Sequence, residues 1–288
     1  MSYENILNPI ILRELAQNWI KEDLPGFDYQ ALVAHDLVVK ARILCKSPGV
    51  LAGIPFVNAI FRELDCTPVW QCPEGQYLTP APIYVVAFVS GKARDILLAE
   101  RVALNVLARC SGVATQARAV KQSVDSVGWK GTIAGTRKTT PGFRLVEKYG
   151  LLVGGVATHR HDLSAMVMIK DNHVVISGGV GPAIRDVRRS RDFSVKVEVE
   201  CRDVEEAREA ARLGADILML DNFDPQVLDE AVSELKANHT GILIEASGGI
   251  TANNVQEFAR EGVDIISLGA LVQGYPAVDY SMKVLPQK

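Results

Sequence analysis

A group of basic residues occupies one short region of the chain and is the strongest chemical signal in the sequence. Arg137 and Lys138 stand in the stretch GTRKTTPGFR, and His159, Arg160 and Lys170 follow in THRHDL and MIKDNH. The formal net charge of the whole chain is only -3 at pH 7. Because like charges repel at close range, a set of cations this dense indicates a bound anion. A solvated basic face is the alternative, but these cations stand beside apolar, strand-like runs and are not spread along a helix.

The elements that must position these residues alternate between strand and helix from about residue 130 onward. Six strands are predicted, at Thr132–Lys138, Ala165–Lys170, Ser194–Glu200, Asp216–Asp221, Gly241–Ala246 and Asp264–Leu268. Strands that alternate with helices of about 10–15 residues predict a parallel sheet, and this many in series favour a barrel. A complete barrel has eight strands, so we predict an open, incomplete α/β barrel. A doubly wound open sheet is the alternative.

The first part of the chain has a different pattern. Strands are predicted over Asp36–Cys45 and Ile83–Ser90, and two helices over Ala93–Arg109 and Val113–Val127, separated at Ser111-Gly112. This pattern predicts a smaller α+β domain over residues 1–112, followed by the barrel domain over residues 113–271. Residues 272–288 follow the barrel domain, and packing of this segment on the first domain is left open.

Composition and charge exclude several classes of protein. The chain has 288 residues, of which 48% are hydrophobic, enough for a large core. A net charge of -3 argues against nucleic-acid binding. We expect no membrane association, because no apolar run approaches the length that spans a bilayer and no signal peptide is visible. The five cysteines are scattered and form no CxxC pair, which predicts buried free thiols and a cytoplasmic protein.

In a parallel barrel, the residues that bind ligands lie at the carboxyl ends of the strands. Those positions hold Arg137, Lys138, Lys170, Glu200, Asp221, Ser247, Gly248, Gly249 and Gly269. Arginine and lysine can hold carboxylates or phosphates. Glu200 and Asp221 can bind Mg²⁺, accept hydrogen bonds from sugar hydroxyls or stabilise a developing cation. The Ser-Gly-Gly turn predicts a phosphate site, helped by a helix that Thr251 opens and that ends near Gly262.

With these residues in place, the chain resembles the quinolinate phosphoribosyltransferase family. The shared motifs are GTRKTTPGFR, THRHDL, MIKDNH, VKVEVE, LDNF and EASGGI, with CKSPGVLAG and AERVALNVLARCSG earlier in the chain. The resemblance runs over nearly the whole chain and is nearest to fungal and animal members. It implies an N-terminal α/β sandwich before the open barrel. It also implies an enzyme of NAD biosynthesis, a pentosyltransferase that converts quinolinate and phosphoribosyl pyrophosphate to nicotinate mononucleotide, pyrophosphate and CO₂.

The resemblance also implies a role for each site residue. It places Arg137, His159, Arg160 and Lys170 on the quinolinate carboxylates, and Lys138 and Lys170 beside the pyrophosphate. Glu200 and Asp221 would meet the ribose hydroxyls and Mg²⁺, directly or through water. The 5′-phosphate would lie on Ser247, Gly248, Gly249 and Gly269, and Arg101 would enter the site of a neighbouring subunit. A homodimer is therefore the minimum assembly, and a hexamer of three dimers is left open. A nuclear pool beside the cytoplasmic one is also left open.

Three other functions fit parts of this pattern. A barrel aldolase would use Lys170 as a Schiff-base nucleophile, but it leaves the Arg137, His159 and Arg160 set unexplained. An anion-sensing or scaffold protein would bind ligand without turnover. A transferase acting on nicotinate would need fewer cations, because nicotinate has one carboxylate where quinolinate has two.

Overall fold

A computed structural model describes residues 3–34 and 37–286 of the chain, and these form two compact units. Within the described residues, the first unit comprises the chain up to Arg118, the segment Pro141–Gly155 and the segment that starts at Tyr275. The second unit comprises Ala119–Thr140 and Val156–Gly274. Asp36, the predicted start of the first strand, lies outside the described residues.

Helices and strands account for most of the described chain. The helices are α1 Pro9–Asp23, α2 Ala31–Ala34, α3 Ile54–Glu63, α4 Ala93–Ser126, α5 Arg144–Gly154, α6 Asp171–Ser177, α7 Val180–Ser190, α8 Val204–Arg212, α9 Pro225–Asn238 and α10 Val255–Phe258. The strands are β1 Val38–Cys45, β2 Gly49–Val50, β3 Thr67–Trp70, β4 Tyr77–Leu78, β5 Tyr84–Lys92, β6 Thr132–Ala134, β7 Val167–Ile169, β8 Val197–Cys201, β9 Ile217–Asp221, β10 Leu243–Ser247, β11 Ile265–Ser267 and β12 Tyr280–Val284. Short 3₁₀ turns lie at Glu4–Ile6 and Gly269–Leu271.

The second unit contains a sheet of six parallel strands in the order β6-β11-β10-β9-β8-β7. Each of its strands lies within or beside one of the six predicted runs. Within the described residues β6 and β7 are the two edges of this sheet and do not pair with each other. The predicted open α/β barrel is therefore confirmed.

The first unit is built on an antiparallel sheet of four strands in the order β12-β1-β5-β3, with β2 and β4 forming a small separate pair. Exposed and buried residues alternate along the first half of β1, as expected for a sheet with one face on a core. Helix α3 buries Phe56, Val57, Ile60 and Phe61, a single stripe at helical spacing. The N-terminal α/β domain predicted from the sequence has this sheet as its base.

The two helices predicted on either side of Ser111-Gly112 are in fact one helix, α4, which continues through residue 112. The Ser111 hydroxyl does not interrupt the helix, because it accepts from the backbone N–H of Ala52 and is 3.1 Å from the Tyr280 hydroxyl. Gly112 is required by packing, since a Cβ there would lie 2.4 Å from the carbonyl oxygen of Pro276. The domain boundary predicted after residue 112 thus falls inside a helix.

Two expectations from composition can be compared with the structure. All five cysteines are free and buried, which confirms that they form no disulfides. None of the helices in the described part of the chain combines the length and the apolar character needed to cross a membrane.

Glu74 closes the amino end of α3 in the first unit. Its carboxylate accepts hydrogen bonds from the backbone N–H groups of Gly53, at 2.7 Å, and Ile54, at 3.0 Å. Burial raises the pKa of this carboxyl from 4.5 to about 7, although the two N–H groups act in the opposite direction. A carboxylate with a raised pKa in the folded protein stabilises the fold most at low pH, and that contribution is lost as the pH rises.

We therefore expect the stability of the wild-type chain relative to Glu74→Gln to fall as the pH rises from about 5 to about 8. Between the unfolded pKa of 4.5 and the folded value of about 7, the difference should change by about 2–3 kcal/mol in favour of the glutamine variant. Urea unfolding of both proteins at the two pH values measures this change. A change of the opposite sign would show that the two N–H bonds outweigh burial and hold the pKa below its usual value.

Candidate active site

A cavity of about 560 Å³ opens at the carboxyl ends of the six parallel strands. It is lined by Thr136, Arg137, Lys138, His159, Arg160, Met168, Lys170, Glu200, Met219, Asp221, Asn222, Ser247, Gly248, Gly249 and Ser267. All six strands contribute, either by a residue at or next to their carboxyl end or by the loop that follows. This is the location that ligand sites take in parallel α/β barrels.

The cavity brings together all but two of the site residues named from the sequence. Gly269 lies at its border, where a Cβ would be 3.1 Å from Cδ of Lys138. Arg101 is not among the lining residues, and it lies exposed on α4 in the first unit. The other named positions converge although they come from six separate segments of sequence.

Two arginines give the cavity an unbalanced positive charge. The Nε atom of Arg137 is buried and has no hydrogen-bond partner among the described residues. Burial, followed by the positive charge of Arg137, lowers the pKa of Arg160. Two guanidinium groups that disfavour each other's charge are stabilised when an anion lies between them. The cation cluster thus has the electrostatics of a site for an anion such as a carboxylate.

Two carboxylates, Glu200 and Asp221, give the cavity negative charge beside the cation cluster. Glu200 is the last residue but one of β8, and its carboxylate is paired with Nζ of Lys170. Asp221 ends the neighbouring strand β9 and accepts from Nδ2 of Asn222 at 2.6 Å. Burial, and then the charge of Glu200, raises the pKa of Asp221, while Lys170 and Lys138 lower it. Adjacent carboxylates supply the oxygen ligands that Mg²⁺ prefers, so these residues fit that ion.

The Ser-Gly-Gly turn after β10 is fixed by its neighbours. The Ser267 hydroxyl donates to Oγ of Ser247 at 3.0 Å, and the backbone N–H of Asn222 donates to the Ser247 carbonyl at 2.9 Å. Gly248 has φ +89° and Gly249 has φ +63°, a backbone conformation that favours glycine. Backbone N–H groups in such a turn can approach a phosphate closely.

The helix predicted to start at Thr251 and to end near Gly262 is wrong in extent. Helix α10 covers only Val255–Phe258, and the side chain of Asn254 accepts from the backbone N–H of Thr251. An isolated turn of this length carries little of the aligned peptide dipole that a longer helix provides. A phosphate site at this turn would therefore gain little from α10.

Below the cavity lies a second layer of polar side chains that sequence reasoning missed. Glu198 and Glu245 are both 0% exposed, and His159 lies between them. Nε2 of His159 is 3.0 Å from Oε2 of Glu245 and 3.8 Å from Oε2 of Glu198. Burial, and then the charge of Glu245, raises the pKa of Glu198 well above its usual range.

The strand period explains this layer. Successive side chains of a strand point to opposite faces, so Glu198 shares a face with Glu200, and Glu245 shares one with Ser247. Each glutamate therefore lies one step deeper than the residue at the strand end. The sequence signal was one glutamate inside each of two apolar runs, Glu198 in VKVEVE and Glu245 in GILIEA. Asn222 and Ser267 were also missed as lining residues.

Comparison with protein families matches nearly the whole chain to two domain descriptions. Residues 28–111 match the model of the quinolinate phosphoribosyl transferase N-terminal domain. Residues 113–283 match the model of the quinolinate phosphoribosyl transferase C-terminal domain. The second match contains every strand of the six-stranded sheet.

Curated proteins and solved structures give the same result. The chain is 51% identical over 283 residues to the nicotinate-nucleotide pyrophosphorylase [carboxylating] of Homo sapiens, covering 98% of this chain and 95% of the human one. It is 43% identical over 300 residues to the protein of that name from Dictyostelium discoideum, covering 100% of both. The structure of the nicotinate-nucleotide pyrophosphorylase from Francisella tularensis aligns with a TM-score of 0.89 at 32% identity, covering 99% of this chain and 100% of that one.

Proposed function

Because this chain belongs to the quinolinate phosphoribosyl transferase family, we propose that its cavity carries out the reaction of a carboxylating nicotinate-nucleotide pyrophosphorylase. The chain is a phosphoribosyltransferase of NAD biosynthesis: it joins the phosphoribosyl group of phosphoribosyl pyrophosphate to quinolinate and releases pyrophosphate and CO₂. The observation that carries this proposal is the convergence of a cation cluster, two carboxylates and a Ser-Gly-Gly turn in one cavity. The cation cluster suits the quinolinate carboxylates and the pyrophosphate, the two carboxylates suit the ribose hydroxyls and Mg²⁺, and the Ser-Gly-Gly turn suits the 5′-phosphate.

Quinolinate carries two adjacent carboxylates, and the cation cluster supplies the matching charge. Arg137, Arg160 and Lys170 are proposed to hold these carboxylates, with Nε of Arg137, which has no hydrogen-bond partner among the described residues, available as a donor. Arginine suits this task because its planar fork can bind a carboxylate through two parallel hydrogen bonds. The same cluster orients the pyridine nitrogen toward C1 of the ribose.

Bond breaking places charge on both halves of phosphoribosyl pyrophosphate. The bond from C1 to the pyrophosphate oxygen breaks, and its electron pair leaves with pyrophosphate while positive charge develops on the ribose ring. Glu200 and Asp221 are proposed to bind the ribose hydroxyls and to stabilise that charge, and Lys138 and Lys170 to face the pyrophosphate. Mg²⁺, which Glu200 and Asp221 would hold directly or through water, would neutralise the leaving group when bound.

Decarboxylation follows from the product of the transfer. Once the ring nitrogen is bonded to the ribose it is positively charged, so it stabilises the electron pair left on the ring when the neighbouring carboxylate departs as CO₂. A proton then takes the place of that carboxylate and gives nicotinate mononucleotide. The chain needs to supply little beyond binding and orientation for this step.

The 5′-phosphate is proposed to lie against Ser247, Gly248, Gly249 and Gly269, and this assignment gives a prediction. In Gly248→Ala the new Cβ would lie 2.6 Å from the backbone nitrogen of Asn222, so the turn must move. We expect the KM for phosphoribosyl pyrophosphate to rise about 10-fold or more, because a shift of about 1 Å in a positioning group has effects of this size or larger. Steady-state kinetics with each substrate varied in turn measures it.

Gly249→Ala is the matched comparison. A Cβ at residue 249 finds only Asn222 Oδ1, at 3.9 Å, so the methyl group has room. Alanine in this left-handed backbone conformation should be strained by about 1 kcal/mol. The KM for phosphoribosyl pyrophosphate should therefore rise less than in Gly248→Ala. A larger rise at residue 249 than at residue 248 would contradict the steric argument.

The reaction itself is tested by supplying quinolinate, phosphoribosyl pyrophosphate and Mg²⁺ and by measuring CO₂ release and nicotinate mononucleotide formation. Nicotinate serves as the parallel substrate, because it has one carboxylate where quinolinate has two. Turnover is expected with quinolinate only. Quinolinate binding without turnover would favour a binding protein, and trapping of Lys170 by borohydride with a carbonyl substrate would favour an aldolase.

Assembly and location are also proposed. A homodimer at minimum would let Arg101, exposed on α4, enter the site of the neighbouring subunit. The five buried free thiols suit a reducing compartment, which supports a cytoplasmic location.

A further inference from the structure

The contacts of His159 separate it from the other members of the cation cluster. Its Nδ1 atom accepts a hydrogen bond from the backbone N–H of the next residue, Arg160, at 2.8 Å. Its Nε2 atom faces the carboxylate of Glu245, at 3.0 Å from one oxygen and 3.3 Å from the other. Both ring nitrogens are thus engaged within the protein, and the side chain is only 9% exposed.

These two contacts determine which nitrogen of His159 carries the proton. Nδ1 accepts from an N–H group, so its lone pair is occupied and it carries no hydrogen. The hydrogen of the neutral ring is therefore on Nε2, which donates it to Glu245. A ring held in this way has no donor left for a substrate carboxylate.

The backbone around His159 is held in an unusual conformation. His159 has φ +58°, a left-handed conformation that is uncommon for residues other than glycine. Such a conformation persists only where the surroundings determine it by several contacts. Here they are the bond that Nε2 donates to Glu245, the bond that Nδ1 accepts from the Arg160 N–H, and the bond that the Thr158 hydroxyl donates to the His159 carbonyl at 2.8 Å.

Glu245 belongs to the sheet, whereas the residues that it contacts through His159 belong to a loop. It lies in the middle of β10, between the neighbouring strands β9 and β11, and is 0% exposed. His159, by contrast, lies in the loop after the bridge of Ala157 to β6. The hydrogen bond from Nε2 thus ties a loop that carries a cavity arginine to an inner strand of the sheet.

We propose that Glu245 is a positioning residue, which acts through the imidazole of His159 to fix the backbone of Arg160 and so to aim its guanidinium group at the quinolinate carboxylates. The inference rests on the proposed function, because it needs Arg160 to bind quinolinate. It assigns His159 a supporting place below the ligand and leaves direct contact with the carboxylates to Arg137, Arg160 and Lys170.

A metal ion held by the same three side chains is the competing explanation. One ligand atom from each of His159, Glu198 and Glu245 lies within 4.8 Å of the others, close enough for a cation to bridge them. A metal would need the lone pair of Nε2, however, and the bond from Arg160 to Nδ1 places a hydrogen on that atom. The hydrogen-bonded arrangement therefore accounts for Glu245 and His159 without a metal.

The test compares two substitutions at residue 245 by titrating quinolinate into each protein in a calorimeter. Glu245→Leu removes the acceptor for Nε2, and we expect the Kd for quinolinate to rise about 10-fold or more, as for partners that orient the ligands of a metal. Glu245→Gln keeps a carbonyl oxygen as acceptor, so its Kd should stay within about 3-fold of wild type. The KM for phosphoribosyl pyrophosphate should change little in either variant, which a loss of structure alone would not achieve.

Glu198 provides the matched control, because it is equally buried, lies in the same layer on strand β8 and is 3.8 Å from Nε2, beyond hydrogen-bond distance. Glu198→Leu should leave the quinolinate Kd within about 3-fold of wild type, with thermal unfolding recorded for every variant. Equal quinolinate affinity in wild type and a folded Glu245→Leu would overturn the inference. Failure of the wild-type protein to bind quinolinate would overturn the proposed function instead.

A measurement on the wild-type protein keeps the inference testable even if Glu245→Leu does not fold. Nitrogen NMR of ¹⁵N-histidine-labelled protein, with His159 assigned through His159→Asn, reports which ring nitrogen is protonated. We expect hydrogen on Nε2 and none on Nδ1. Hydrogen on Nδ1, or a stoichiometric metal that remains after EDTA treatment, would overturn the proposed arrangement.

Discussion

Mixing Arg101→Ala with Lys170→Ala is expected to restore activity that neither variant has alone. Lys170 lies in the cavity of the second unit, paired with Glu200, whereas Arg101 is exposed on α4 of the first unit. Each single variant should lose about 100-fold or more in kcat, as when one positioned charged group is removed from an active site. If each site takes Arg101 from the partner, random exchange in a dimer leaves about a quarter of all sites intact.

The measurement is the initial rate of nicotinate mononucleotide formation after subunit exchange, with exchange confirmed by mass spectrometry of differently tagged chains. Arg109→Ala is the matched control, because Arg109 is a second exposed arginine on α4 and is given no role in the site. It should keep nearly wild-type activity by itself. Full exchange without any recovery of activity would rule out a site shared between subunits.

Arg137→Ala is expected to weaken quinolinate binding far more than the binding of phosphoribosyl pyrophosphate. The side chain presents a buried Nε donor without a partner among the described residues, next to a second guanidinium group. Loss of charged hydrogen bonds worth about 1.5–3 kcal/mol corresponds to a rise of about 10- to 100-fold in the Kd for quinolinate. Separate calorimetric titrations of the two substrates measure the difference.

Arg137→Lys distinguishes charge from geometry at the same position. Lysine keeps the positive charge but cannot form the two parallel hydrogen bonds of a guanidinium group. Its quinolinate affinity should therefore lie between those of wild type and Arg137→Ala. Equal losses of affinity for both substrates in the alanine variant would remove Arg137 from the proposed carboxylate site.

The number of barrel strands and the chemistry at their ends could be predicted from the sequence because both depend on patterns of neighbouring residues. Each strand is a short apolar run followed by a polar residue or glycine, as in DILMLD, and neighbouring turns and caps mark its limits. Asp203 and Asp224 cap α8 and α9 by accepting from backbone N–H groups two or three residues ahead. Once parallel strands are predicted, their carboxyl ends must meet at one edge, so Lys170, Glu200 and Asp221 could be grouped without coordinates.

Local signals were misleading where long-range packing decided the outcome. A serine followed by glycine is typical of a break between helices, yet α4 continues because its contacts are with Ala52, Tyr280 and Pro276, all distant in sequence. Conversely, Thr251 has the pattern of a helix cap, but the helix that follows has only four residues. Neither difference can be seen in a window of neighbouring residues.

The layer below the cavity was decided by tertiary structure alone. Glu245 and His159 are 86 residues apart in the chain, and only the assembly of the sheet and its loops brings their side chains together. Sequence identifies His159 as a residue near a cluster of cations, whereas its hydrogen bonds identify it as the link between a strand and Arg160. A residue type states what chemistry a side chain can do, but burial and partners determine which of its atoms remain available to a substrate.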